Sequence, residues 1–347
     1  MGRMSSTWTE TIAADETARF DRLAGQLRAL QRGRAGAGGA RRALHAKGVA
    51  SARGTFTTLG EAPAWARVGI FAGPVSLPAL VRFSNGAGAV HSDRVGDVRG
   101  MAVKVIGVPG KKLIPGLEDA RTQDFLAILT PTVPFPTPES FVGVVVAASG
   151  SKLLALPRVI RALGIGRFAS VLKQLKAGLE RPVASLAEVP FYTPLPIRWG
   201  DAAVKFMWAP LTSGAAGGAT EGDERFAQDL AARLRGGPLR WELRIQAWVD
   251  EARTPIEDPT VLWDPAASPW VPVGRLELPQ QDLEGAAAKE LAARVERLSF
   301  DPWHAPAEFR PLGAMMRARA AAYRESVMER GVDAEPVGDE GWLVGPA

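Results

Sequence analysis

Apolar and polar positions alternate along much of this chain, and that pattern sets out its elements before any single residue is considered. From Val49 to Leu59, the side chains of Val49, Ser51, Arg53, Thr55 and Thr57 fall on one face. Those of Ala50, Ala52, Gly54, Phe56 and Thr58 fall on the other, the period-two pattern of a strand. So many small residues on one strand let something approach it closely. Strand-like runs follow at 69–72, 79–85, 101–108 and 123–130, divided by Gly and Pro, and three more come late, at 203–208, 239–249 and 272–278. Eight candidate strands without alternating long helices predict a mainly antiparallel sheet or barrel.

Helical periodicity fills the rest. Over residues 9–31, Ile12, Phe20, Leu23, Leu27 and Leu30 lie roughly on one face, and a Gly/Ala/Arg linker follows to residue 40. Pro138 to Ser149 leads into a Leu-rich basic stretch ending at Glu180. Further helices are predicted over Asp223–Leu234, Leu283–Leu298 and Leu312–Met328. The chain after Gly331 is acidic and rich in Gly and Pro, which predicts a loose tail. Strands lie on both sides of the helical insertion at about 149–182, so the chain is not divided there. The predicted organisation is an N-terminal helix and linker (1–40), one core (41–331) and a tail (332–347).

Composition narrows the chemistry. Apolar residues make up 46%, enough for a substantial core. A net charge of +5, evenly spread, is too small to argue for nucleic-acid binding. The chain has no Cys, which excludes disulfides, thiolate metal sites and Cys nucleophiles, and fits a cytoplasmic protein. Met1–Glu10 shows no apolar signal segment, and no run of 18 apolar residues occurs. Residues 151–181 hold seven Lys/Arg against one acid. A basic amphipathic stretch of that kind suits peripheral contact with a membrane surface, or a solvated insertion covering a core edge.

Candidate chemistry is concentrated in three places. His45, one of three histidines, sits in the basic segment Arg41–Gly48 just before the first strand. An imidazole there can move a proton near neutral pH, and Arg42 can hold an anionic group beside it; a surface histidine in a basic loop is the other reading. In Val81-Arg82-Phe83-Ser84, Arg82 and Ser84 share one face of a strand and the apolar pair shares the other. That suits a polar site against a core, or a half-exposed strand. The neighbouring segment Asp93–Val105 reads as a charge-knitted loop feeding an apolar strand. Arg319 and Tyr323 stand four apart on a helix, so they meet. A guanidinium beside a phenol favours phenolate, a hard ligand suited to ferric haem iron. The spacing equally allows a tyrosine closing a surface helix. His91 is read as exposed, and His304 as packed near the last helix.

Together these pieces resemble the haem-dependent catalase family, most closely its short, catalase-related peroxidase branch. RALHAKG, VRFSNG, DVRGMAVKV, SFDPWHAPAEFRPLG and RARAAAY stand in the family's order from about residue 41 to 330, and Asp258–Leu278 is similar to its segment entering the last barrel strand. The resemblance implies an α+β fold, an eight-stranded antiparallel catalase-type β-barrel with surrounding helices, holding haem b. It implies His45 as distal histidine and Ser84 as its hydrogen-bonding partner. Arg42, Arg82 and Arg330 match arginines that hold the haem propionates. Tyr323 matches the iron ligand, and Arg319 the arginine that keeps it ionised.

One departure matters. Full catalases carry an asparagine opposite the distal histidine, in a segment resembling Gln123–Pro131. The best match here is Leu129, or Ile128 one register earlier, and neither can donate a hydrogen bond. Aromatic residues that usually follow are replaced by Val133 and Pro134, with Phe135 left. Losing one oriented donor costs roughly 10- to 1000-fold. The resemblance therefore implies a peroxidase reducing hydrogen peroxide or organic hydroperoxides with a small reductant, and weak catalase activity. Rearrangement of fatty-acid hydroperoxides, as in allene oxide synthases, and haem binding without turnover are the alternatives. A homodimer is expected by analogy with the short branch.

Overall fold

The computed structural model describes residues 7–36, 39–149, 157, 159–160, 163–211 and 221–343. Among these, nine strands and six α-helices run in the order α1 (Glu16–Gly33), β1 (Gly48–Thr58), β2 (Ser76–Asn85), β3 (Arg99–Ile106), β4 (Thr122–Ile128), α2 (Pro138–Ser149) and α3 (Ile165–Leu179). There follow β5 (Phe191–Tyr192), β6 (Ile197–Trp199), β7 (Ala202–Pro210), α4 (Arg225–Gly236), β8 (Leu239–Ala247), β9 (Val271–Leu278), α5 (Ala286–Arg297) and α6 (Ala314–Arg330).

Every strand pairing is antiparallel. The ladder runs β1–β2–β3–β4–β5–β7–β8–β9 and returns to β1, so eight strands close a barrel and β6 adds to β7. Closure removes the exposed sheet edges that invite aggregation. Alternate positions fill the interior: Phe56, Phe83, Phe125, Trp208 and Trp241 are fully buried, with neighbouring rings 5.9–6.1 Å apart. Each such side chain contributes about 1.5–3 kcal/mol by leaving water. The small residues of β1 serve this packing. A Cβ on Gly54 would lie 2.7 Å from Leu278, and one on Gly274 would lie 2.6 Å from the Phe56 ring.

With the interior apolar, the alternate residues Arg82, Ser84, Lys104 and Asp124 point outward, yet all four are buried. The cover comes from the end of the chain. Leu291, Val295 and Leu298 of α5 and its exit pack with Phe300 and Leu343 on Leu80 and Ile106 of the barrel wall. α6 is fixed by α1 through Phe20, Ala24, Ala318 and Ala321, and by ion pairs from Arg28 to Glu325 and Glu329. The first N–H groups of α6 are capped by carboxylates brought from afar, Glu10 on Gly313 (2.8 Å) and Glu257 on Ala314 (2.6 Å). Gly331, in the left-handed conformation, ends it.

Some predicted elements differ. Residues 69–72 form a 3₁₀ turn, not a strand. Gly69 has φ +52°, where a side chain would strike the Phe309 ring, and the turn drives Phe71 against Trp199 at 4.4 Å. The first helix begins at Glu16 rather than residue 9, because Glu10 is drawn away to Gly313, Arg310 and Arg317. β5 and β6 were not predicted; they are two and three residues long, with Pro190, Pro194 and Pro196 beside them. The tail read as loose lies on the barrel wall over its described part, through Glu335 to Lys104 (2.5 Å) and Thr122 (2.8 Å), with Leu343 buried. Much of 151–164 within the basic insertion lies outside the described residues; α3 beyond it buries Val171 and exposes Leu172. No helix among the described residues is long and apolar enough to cross a membrane.

Candidate active site

His45 has φ +55°, the only non-glycine residue with positive φ among those described. Such a conformation costs free energy and persists only where the surroundings fix it. Here they do. Its N–H bonds Gly86 O at 2.9 Å, and its carbonyl accepts from Arg82 Nη2 at 2.9 Å. The ring's Nδ1 lies 2.9 Å from Ser84 Oγ, and no protein partner reaches Nε2 among the described residues. The ring leans on Gly100, where a Cβ would come within 2.8 Å of Cε1 and Nδ1 and 3.0 Å of Ser84 Oγ. Gly100, in β3, is thus required by the His45–Ser84 pair. Burial lowers the His45 pKa to about 3, and the charges of Arg82, Arg319 and Arg42 add to the shift. The imidazole is neutral at any physiological pH.

Arg42, Arg82 and Arg330 converge on the end of α5. Arg82 Nε bonds Glu296 Oε1 at 2.6 Å and its Nη2 reaches Oε2 at 3.2 Å; Arg42 pairs with Oε2 of the same carboxylate. Arg42 Nη2 also donates to Leu298 O at 2.9 Å, and Arg330 donates to the carbonyls of Glu296 (3.0 Å) and Leu298 (3.3 Å). Burial, with the repulsion of Arg82, lowers Arg42 to about 9 and Arg330 to about 10. Burial would raise the Glu296 carboxyl, but Arg82 and Arg42 more than offset it and hold it below the usual range. Nε of Arg330 is buried without a partner. Glu296 escaped the sequence reading, since an acid on a charged helix gives no signal until its partners, 214 and 254 residues away, are known.

Arg319 Nη2 donates to Tyr323 Oη at 2.9 Å, with its guanidinium 5.2 Å from the ring centre. This pair lies near the other two groups: Arg319 is close enough to His45, and Tyr323 to Arg330, for an electrostatic influence. The sequence-predicted residues thus fall in one region of the fold, as three bonded groups. Ile128 pairs in register with Gly100, so it stands in the row of Ser84, while Leu129 beside it is buried. The other histidines lie elsewhere. His91 is partly covered, bonded to Asp97 at 3.0 Å, and not simply exposed. His304 is fully buried, 3.0 Å from Asp124.

An antiparallel eight-stranded barrel with its polar outer wall roofed by helices is the catalase-type fold. It matches the crystal structure of a fungal catalase (TM-score 0.66, 94% of this chain and 66% of the catalase) and a bacterial catalase (0.62, 94% and 64%). It also matches catalase A from Saccharomyces cerevisiae (0.66, 96% and 68%), each at 17% identity. This chain thus spans about two thirds of their length. No family model matches it. In sequence it is 31% identical over 330 residues to a catalase-related peroxidase of Mycolicibacterium paratuberculosis, across 87% of this chain and 95% of that protein. The chain belongs to the catalase-related peroxidase family and is an oxidoreductase of the peroxidase and catalase type.

Proposed function

We propose that this chain is a haem b peroxidase that reduces hydrogen peroxide or organic hydroperoxides at the expense of a small reductant, with weak catalase activity. The observation that supports it most is His45: a neutral imidazole in a strained backbone, aimed by Ser84, with Nε2 free. The residues present fit a haem. Two largely buried guanidiniums hold one carboxylate, a third stands beside them, and Arg330 Nε has no partner, so the cluster keeps positive charge and a donor for the carboxylates of a porphyrin. Tyr323 offers an oxygen ligand, and Arg319 holds that oxygen in place through a 2.9 Å hydrogen bond. Bound haem would supply the iron at which peroxide is reduced.

The protein's part is proton movement and positioning. Ser84 fixes the ring through Nδ1, so His45 Nε2 is placed to take the proton from one peroxide oxygen and return it to the other as the O–O bond breaks. That oxygen leaves as water or an alcohol, and the two electrons and two protons that turn the remaining oxygen into water come from the small reductant. Because His45 is neutral down to about pH 3, the rate with peroxide should stay flat between about pH 5 and 8; a rate falling tenfold per unit below pH 7 in rapid-mixing measurements would contradict this. Ile128 and Leu129 leave no side-chain donor to orient a second peroxide.

An oxygen electrode beside a reductant-oxidation assay tests the function. Reductant oxidation should outpace oxygen release per haem at equal peroxide; oxygen release that dominates with reductant present would overturn the reading. Gly100→Ala should lower the peroxide rate by up to roughly 100-fold, by pushing His45 from its place. Its haem content should match that of the unaltered chain, as the difference spectrum with pyridine measures.

A further inference from the structure

The arginine cluster contains a residue that no arginine-to-cofactor scheme calls for. Glu296 enters from the last turn of α5 and takes its place among Arg42 and Arg82, while Arg330 holds the adjoining backbone. Gly48 makes the room: a Cβ there would overlap Glu296 Oε1 and lie 3.5 Å from Arg82 Nη2. Arg82 is buried to 3% exposure of its side chain and Arg42 to 14%, whereas the Glu296 side chain keeps 40%. Glu296 is thus the most exposed of these three side chains, with both carboxylate oxygens on the arginines.

Two guanidiniums and a third nearby would repel one another if left without an anion, and buried unpaired charge is strongly destabilising. With Glu296 present, three positive charges face one negative. We infer that Glu296 is a resident counter-ion, standing on the arginines in the cofactor-free chain and sharing them with the carboxylates of an incoming porphyrin. It keeps the empty site folded, and it weakens the grip on the cofactor below what three arginines alone would give. This rests on the haem reading above.

The test uses the full cofactor-free chain, titrated with haemin and with haemin dimethyl ester, which has no free carboxylates. Glu296→Gln should bind haemin about tenfold more tightly than the unaltered chain, since one competing negative charge is gone. Its affinity for the ester should be unchanged, and the cofactor-free variant should melt at lower temperature. Gly48→Ala presses on the carboxylate without removing its charge and should move haemin affinity and melting temperature in the same directions, by less. It serves where the first variant does not fold empty. A purely structural role predicts the opposite sign for haemin: lower stability together with weaker binding of both porphyrins overturns the inference, as does unchanged haemin affinity in both variants. If the unaltered chain binds neither porphyrin, the haem reading fails and this inference with it.

Discussion

Glutamine in place of His45 should slow the reaction with hydrogen peroxide by about two to four orders of magnitude, the usual contribution of a positioned general acid–base. Haem should still bind, because the arginines and Tyr323 do not depend on the imidazole. Glutamine keeps polarity and approximate size but cannot take the proton. Ser84→Ala should cost less, since Ser84 aims the ring through the 2.9 Å contact to Nδ1 and moves no proton itself. Stopped-flow mixing of the haem-loaded variants with peroxide measures both. A His45→Gln rate within threefold of the unaltered enzyme would remove the imidazole from the chemistry.

Lys104→Met should destabilise the fold by about 3–5 kcal/mol, the cost of breaking a buried ion pair. Lys104 Nζ lies 2.8 Å from Asp124 and 2.5 Å from Glu335 on the buried outer wall of β3 and β4. His304 and the Asp301 N–H complete the bonding of Asp124, each to Oδ2, at 3.0 and 2.9 Å. Burial opposes the charge of Lys104, but Asp124 and Glu335 more than offset it and raise its pKa. Without the ammonium two carboxylates remain buried together, so the tail that carries Glu335 should also detach. Urea denaturation followed by circular dichroism measures the first effect, and limited proteolysis near residue 335 the second. A midpoint equal to that of the unaltered chain would show that Lys104 is dispensable.

Local groupings were legible in the sequence because their members are close along it. Arg42 and His45 share one loop, Arg82 and Ser84 one strand face, and Arg319 and Tyr323 one helical turn. Seven of the eight barrel strands were legible from alternation, since each is filled on one side by apolar residues, whereas the two-residue β5 is too short to show a period. Long-range partners were not. Glu296, Gly48 and Gly100 acquire meaning only when α5 and the His45 loop are laid on the barrel wall. Lys104 falls in a segment read only as an apolar strand, and its partners Glu335 and His304 stand 231 and 200 residues away. Residues 69–72 are as apolar as a strand, and only the left-handed Gly69 turns them into the 3₁₀ plug behind Phe71.

The central claim is that Tyr323 and the arginine cluster hold a haem beside His45. The most direct measurement is the visible absorption spectrum of the full chain loaded with haemin, taken beside Tyr323→Phe. The account predicts one haem per chain with a ferric high-spin spectrum that shifts in Tyr323→Phe, because the phenolate ligand is gone. A spectrum indifferent to that change, or no Soret band above that of free haemin, would contradict it.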